Sequence, residues 1–329
     1  MLIDGGGTRD GLFDTGARIV EPFLRARGIA RLEIVALSHP HPDHLGGLFR
    51  ILDRFAVGAF WSSGDDGRNP EYHRLIDLAR RRGVPTPEVV PIALGGARVD
   101  PLGPFLDDHI GAPGGLSVND ASLVLRIAFA GRALLFPGDL EADGEGELVG
   151  RRALGQVVAS DILKVPHHGS RTSSSDELLG AVAPKVAVIS LGWHNQFNFP
   201  APEVLARYAA DRARVLRTDR DGAVTITVAS DGTLTVVCER GCTQTQPSGQ
   251  PRPMSGHEND PTSSPGPDFR HARRAFGGLR DRATPLAASR FGTTGCRRRR
   301  ARARDNSACY ASGRGRETSG TSRRRLGRD

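Results

Sequence analysis

Three histidines and an aspartate fall within six positions of the stretch "SHPHPDHLGG", at His39, His41, Asp43 and His44, in a chain with ten histidines in all. Pro40 and Pro42 alternate with them and keep the residues before them extended. Side chains two apart on extended backbone face the same way, so His39 and His41 can converge on one point. Asp43 and His44 lie past the turn, at the start of "DHLGGLFRILDRF", and can converge on a second point nearby. Imidazole and carboxylate at this spacing suit a divalent zinc, manganese or iron ion. Two such points side by side make a two-metal hydrolytic site, in which the cations activate water and stabilise developing charge.

Other chemistry-bearing residues stand at comparable places. Asp139, in "ALLFPGDLE", can reach both cations and bridge them, or it can cap the helix expected over "LEADGEGELVG". In "KVPHHGS", one of His167 and His168 can complete the second metal, and the other can support it or move a proton. Asp4, in "LIDGGG", can orient a metal-binding histidine from behind or shape the turn. Asp43 can orient the attacking water, which makes Asp43 and His167 the candidate catalytic pair. Ser170 can brace the histidines beside it. A serine hydrolase built on Ser170 is not expected, because no GxSxG elbow surrounds it.

These positions share a context: each follows a short apolar run. "LEIVALSH" reads as a buried strand ending at Ser38, and "MLI", "LLFPG" and "DILKV" read as strands ahead of Asp4, Asp139 and His167. Strand ends at one edge of a sheet bring distant sequence together. Helices are expected over "ARIVEPFLRARG", after Asp43, and over "NPEYHRLIDLARRRG", "SDELLGAVAP" and "APEVLARYAAD". "AVGAFW", "PEVVPIA" and "KVAVISLG" read as strands, and "SLVLRIAFAGRALLFPGD" and "GAVTITVASDGTLTVV" as hairpins. Residues 95–119 read as loop. Mixed strands and helices of this kind form a layered α/β domain.

Composition divides the chain near Cys242. Residues 243–329 hold 19 of the 45 basic residues and 7 of the 37 acidic ones, a net of +12, which leaves −4 for residues 1–242. The high isoelectric point therefore belongs to the tail, and bulk charge does not make the domain a nucleic-acid binder. The tail is rich in Pro, Ser, Gly and Arg and poor in aliphatic residues, so disorder is expected there. It is either a cationic arm for nucleic acid or a solvated extension, and its Arg runs lack the interleaved aromatics of single-strand binders. Cys238, Cys242, Cys296 and Cys309 show no CxxC spacing and read as free thiols of a reducing compartment. There is no signal-peptide pattern and no apolar run of the ~18 residues a membrane span needs, so cytoplasmic residence is the default expectation.

Taken together, "LIDGG", "SHPHPDHLGG", "NDASLVLRI", "LLFPGDLE", "KVPHHGSRTSSS", "KVAVISLG" and "RTDRDGAVTI" resemble the metallo-β-lactamase fold superfamily. More narrowly, they resemble the hydrolase domain at the end of the ComEC/Rec2 DNA-internalisation competence proteins, in that family's order over about residues 1–230. The resemblance implies an αββα sandwich over 1–242 followed by the tail. It implies two divalent metal ions, zinc or manganese: His39 and His41 on the first, Asp43 and His44 on the second, Asp139 bridging. His168 joins the second, because Pro166 and His168 match the superfamily's Pro-x-His spacing. The superfamily's usual third histidine on the first metal is replaced here by "SVNDASLVL", where Asn119 or a water stands in. Domains of the family begin with an extra pair of strands before "LIDGG", so the first half-sheet is expected to be incomplete. The membrane-embedded part of the uptake proteins is absent from this sequence; as part of a larger uptake protein, the domain would follow the membrane.

The implied function is metal-dependent hydrolysis of a phosphodiester in DNA, in connection with DNA uptake. Two alternatives stand beside it: hydrolysis of a small ester, lactone or amide by the same site, and a truncated or degenerate domain that holds nucleic acid through its basic tail.

Overall fold

The computed structural model describes residues 1–8, 11–64, 69–104, 116–193 and 195–247 of the chain. Disorder is expected from residue 243, but a strand at Cys242–Gln246 carries the fold past that boundary by pairing with the strand before it; the chain from residue 248 onward lies outside the described residues, as do Cys296 and Cys309.

Three sheets make up the strand framework. β1 (Leu2–Ile3), β2 (Arg31–Leu37) and β3 (Ala56–Ser62) form a parallel sheet in that order. The second sheet contains β4 (Ile92–Leu94), β5 (Ala97–Pro101), β6 (Leu125–Phe129), β7 (Arg132–Phe136), β8 (Ile162–Lys164), β9 (Val186–Ile189) and β10 (Arg214–Arg217), in the order β10-β9-β8-β7-β6-β5-β4. The third is the antiparallel meander β11 (Val224–Val228), β12 (Leu234–Cys238) and β13 (Cys242–Gln246).

Alternation along β2 explains the layering. Val35 and Leu37 face α3 (Leu48–Arg54) and α4 (Pro70–Arg81) through Leu48, Ile51, Leu52 and Leu75. Ile34 and Ala36 point the other way, onto Val99 and Leu125 of the second sheet. That sheet in turn buries Leu135, Leu163 and Ala187 against helices at Ala142–Gly150, Asp176–Val182 and Pro202–Ala210. Side chains two apart on a strand share a face, so both sheets are covered on two sides. The result is the expected αββα sandwich. The meander packs Leu234 and Val236 on Ile162, Val186 and Leu216, beside the first sheet's contact area.

Several elements differ from the sequence reading. "PEVV" carries no strand; prolines at 85, 87 and 91 remove donors there, and pairing starts at Ile92. β5 lies within the stretch expected to be loop; "ARVDP" is short and polar, and its partner β6 supplies the pairing. The helix after Asp43 breaks at Gly46-Gly47 into Pro42–Leu45 and α3. The free-thiol expectation is corrected at Cys238 and Cys242, which face each other in the β12–β13 register and are joined as a disulfide. Their four-residue separation carries no signal in sequence; only hairpin register brings the two together. No helix among the described residues is long and apolar enough to cross a membrane.

Candidate metal centre

The histidine loop leaves the end of β2 and is clamped by the glycine turn that follows β1. Asp4 N donates to Ala36 O at 2.8 Å, Gly5 N to His44 O at 2.7 Å, and Gly47 N to Gly6 O at 2.9 Å. Gly7 runs against the Pro42 carbonyl, and Gly47 against the Gly5 carbonyl, so closely that a Cβ at either would overlap a backbone oxygen. Backbone-on-backbone packing is why both "DGGG" and "LGG" are glycine-rich.

Asp4 ties this clamp to the histidines. Its Oδ1 accepts from Ser38 N at 2.7 Å; its Oδ2 accepts from Ser38 Oγ at 2.9 Å and sits 2.8 Å from His44 Nδ1. A proton on Nδ1 leaves His44 Nε2 as the ligating atom. That atom lies 3.1 Å from Asp139 Oδ2 and 3.3 Å from His168 Nε2. His168 Nε2 is 3.2 Å from the same Asp139 oxygen and 3.6 Å from Asp43 Oδ2. Its Nδ1 bonds Ser190 O at 2.7 Å, which orients the ring. One donor atom each from Asp43, His44, Asp139 and His168 thus lies within 4.8 Å of the others. Beside them, His39 Nε2 and His41 Nδ1 approach to 3.0 Å, and His39 Nδ1 touches Ser38 Oγ at 3.1 Å.

The electrostatics are those of a cation-binding cluster. Burial would push the His44 imidazole down, but Asp139 and Asp4 on its two nitrogens outweigh it and hold it up to about 10. His168 is likewise raised against burial by Asp139 and Asp43. Burial would raise Asp139, yet Lys164, His44 and His168 hold it well below the carboxylate range. Asp43 is lowered in the same way, chiefly by His168 and His44. His39 and His41 are lowered by burial, which keeps them as neutral donors. Protons on His44 and His168 occupy places that a divalent cation among these carboxylates would take. The mixed imidazole–carboxylate donor set fits zinc or manganese.

Comparison with known proteins identifies the family. The family description "Metallo-beta-lactamase superfamily" matches residues 1–193. The chain belongs to the metallo-β-lactamase superfamily. It is 32% identical over 238 residues to ComE operon protein 3 of Bacillus subtilis, covering 68% of this chain and 29% of that one. It is 34% identical over 218 residues to competence protein ComA of Neisseria gonorrhoeae, covering 65% and 28%. The chain therefore spans less than a third of the length of these curated relatives. A solved structure, the diiron β-hydroxylase CmlA of Streptomyces venezuelae, is similar at 19% identity and a TM-score of 0.39, covering 57% of this chain and 44% of that one. Membership of the metallo-β-lactamase superfamily makes this chain a metal-dependent hydrolase by family, with competence proteins as relatives.

Within that superfamily frame, the remaining candidate residues fall into distinct places. Asp139 does not cap the following helix, whose N-cap is Glu141; its backbone N instead donates to Ser122 Oγ at 3.1 Å. His167 lies outside the four-donor cluster. Its Nδ1 is 3.2 Å from Glu141 Oε1, close enough for an ion pair but not aligned for a hydrogen bond. Both histidines adopt left-handed backbone, with φ of 43° and 53°, a conformation that costs roughly 1–3 kcal/mol at a non-glycine residue. Ser170 bonds Thr172 Oγ1 at 3.0 Å and shapes the turn after the histidines. Asn119 lies in the turn before β6 with its Oδ1 buried and unpartnered.

Two functional neighbours escaped sequence reasoning. Lys164 Nζ donates to Asp139 Oδ1 at 2.9 Å and to Gly138 O at 2.7 Å, which commits one carboxylate oxygen and leaves Oδ2 facing the histidines. Glu141 faces His167 and accepts from Thr172 Oγ1 at 2.6 Å. The only hint of Lys164 in sequence is a lone charge in the apolar run "ILKV".

Proposed function

We propose that this chain is a two-metal phosphodiesterase that cleaves DNA. The observation that carries the reading is the convergence of Asp43, His44, Asp139 and His168 within 4.8 Å, beside the His39–His41 pair. In this reading His39 and His41 would hold one cation, Asp43, His44 and His168 would hold the other, and Asp139 would serve both. Asn119, whose side-chain oxygen is buried and without a hydrogen-bond partner, is assigned to the first as a supporting group. Zinc or manganese bound there would activate water and neutralise charge on the phosphoryl oxygens.

The chain's own groups then have separable tasks. Asp43, the most exposed of the four donors, orients the attacking water. Lys164 fixes the Asp139 carboxylate, and Asp4 fixes His44. His167, beside Glu141 and outside the donor cluster, delivers a proton to the departing oxygen. The competence-protein relatives support DNA as substrate, and the proposed role in DNA uptake rests on the same kinship.

Elemental analysis of purified chain supplied with zinc or manganese tests the metals, with two equivalents expected. Cleavage of DNA and of bis-p-nitrophenyl phosphate tests the chemistry. Absence of bound transition metal overturns the two-metal reading. Turnover of esters or lactones without either phosphodiester activity would reassign the substrate.

A further inference from the structure

A row of aromatic rings leads from the candidate centre to solvent. The His167 ring meets Phe199 edge-on, with centroids 5.9 Å apart. Phe199 in turn stacks on Phe197 at 5.5 Å and 21°. Phe197 is 52% exposed, and Trp193, on the same loop after β9, is 70% exposed. Water-exposed aromatic rings on one short loop are unfavourable unless something covers them.

The loop is held in place at several points. At its start, Ser190 O is bonded to His168 Nδ1. At its end, Ala201 N donates to Gly169 O at 2.8 Å, and Pro200 packs where a Cβ on Gly169 would sit. Across the middle, the Asn195 amide spans Phe199, donating to its carbonyl and accepting from its N–H, both at 2.9 Å. The rings are therefore mounted on the turn that carries both histidines. Cations accompany them: the Arg240 guanidinium lies over the Trp193 ring at 5.5 Å, and Arg217, ion-paired with Asp219 at 2.7 Å, lines with that carboxylate the same cleft as Trp193 and Phe199.

From this geometry we infer that Trp193, Phe197 and Phe199 form a stacking platform for the bases of single-stranded DNA, which feeds the adjoining phosphodiester to the metal centre. The inference rests on the phosphodiesterase reading above and adds the strandedness of the substrate and the residues that read it. Aromatic rings flanked by arginines are what single-strand binding requires, because every base has a π face and every linkage a charge. Duplex DNA keeps its bases stacked on one another and offers no face to these rings. The continuity of the ring row with His167 favours a substrate over a partner protein.

The test compares the full chain with Trp193→Ala/Phe197→Ala, both positions being exposed and outside the metal centre. Binding is measured in chelator with oligothymidylate, with an abasic deoxyribose-phosphate oligomer of equal length, and with duplex of the same length. Trp61 is buried, so quenching of tryptophan emission by oligothymidylate reports Trp193. The variant is expected to bind oligothymidylate roughly 5- to 150-fold more weakly per lost stack, and to bind the abasic oligomer as the parent does. Its metal content is expected to match the parent's. Equal oligothymidylate binding by both chains overturns the platform, as does an equal loss on the abasic oligomer or a preference for duplex. If the parent chain fails to turn over bis-p-nitrophenyl phosphate, the hydrolase reading falls. Base-dependent binding then still decides the platform on its own.

Discussion

Asp4→Asn isolates the group that holds His44. The carboxylate accepts from Ser38 N through Oδ1, and from Ser38 Oγ and His44 Nδ1 through Oδ2. An asparagine can keep its oxygen toward Ser38 N, but its amide then donates toward His44 Nδ1. That nitrogen must become the acceptor, and the imidazole proton moves to Nε2, the atom facing Asp139 and His168. Flipping the amide restores the His44 bond but sets two N–H donors, the amide and Ser38 N, against each other. Either way one orienting bond is lost. Loss of such a partner typically costs 10–100-fold in metal affinity, or about 1.4–2.8 kcal/mol. Chelator-competition titration with manganese and zinc reads this directly. Ser38→Ala is the control: it removes the Ser38 Oγ contacts but leaves Asp4 on His44, and its affinity is expected to stay closer to the parent's. Parental affinity in Asp4→Asn would refute the argument. Equal loss in Ser38→Ala would shift the effect from the His44 proton to the loop as a whole.

His168→Ala is expected to lose metal, whereas His167→Ala keeps it and loses phosphodiester turnover; metal titration and bis-p-nitrophenyl phosphate kinetics on both check this, and the reverse order would move the ligand assignment. Lys164→Met leaves Asp139 Oδ1 without its cationic donor, with an expected stability loss of about 1.5–3 kcal/mol in urea unfolding of the metal-free chain. The metal-free chain is also expected to lose stability with rising pH. His44 is held up to about 10, above its ordinary 6.5, so its contribution is fully present below about 6.5 and is lost as pH rises through about 10. Asp43 and Asp139, held low, act oppositely, and their contribution is lost only as pH falls below the carboxylate range. Thermal unfolding across pH with and without metal tests this, and metal should flatten the alkaline limb. A chain ending at Pro247, whose carbonyl accepts from Arg132 Nη2 at 2.6 Å, is expected to keep bis-p-nitrophenyl phosphate turnover.

Much of the framework was legible in sequence because it rests on local rules. Prolines 40 and 42 force extension, apolar runs end at Asp4, Ser38, Asp139 and His167, and the continuous apolar run Ile34–Leu37 implies a strand covered on both faces. Those rules suffice for a layered α/β domain; the αββα sandwich and the superfamily were implied by the resemblance of the motifs. They do not reach what depends on the meeting of distant segments. Only tertiary structure decided that His168 faces His44 while His167 turns to Glu141, because two adjacent left-handed residues point their side chains apart. It alone set Lys164 on one oxygen of Asp139, since strand register, not spacing, brings β8 under the turn after β7. It paired β5, β10 and β13, whose short polar sequences carry no pattern of their own, and with β13 it brought Cys242 onto Cys238. The sequence held the ligand types and their strands. Their protons, partners and facing atoms follow from contacts between residues tens of positions apart, which no local pattern encodes.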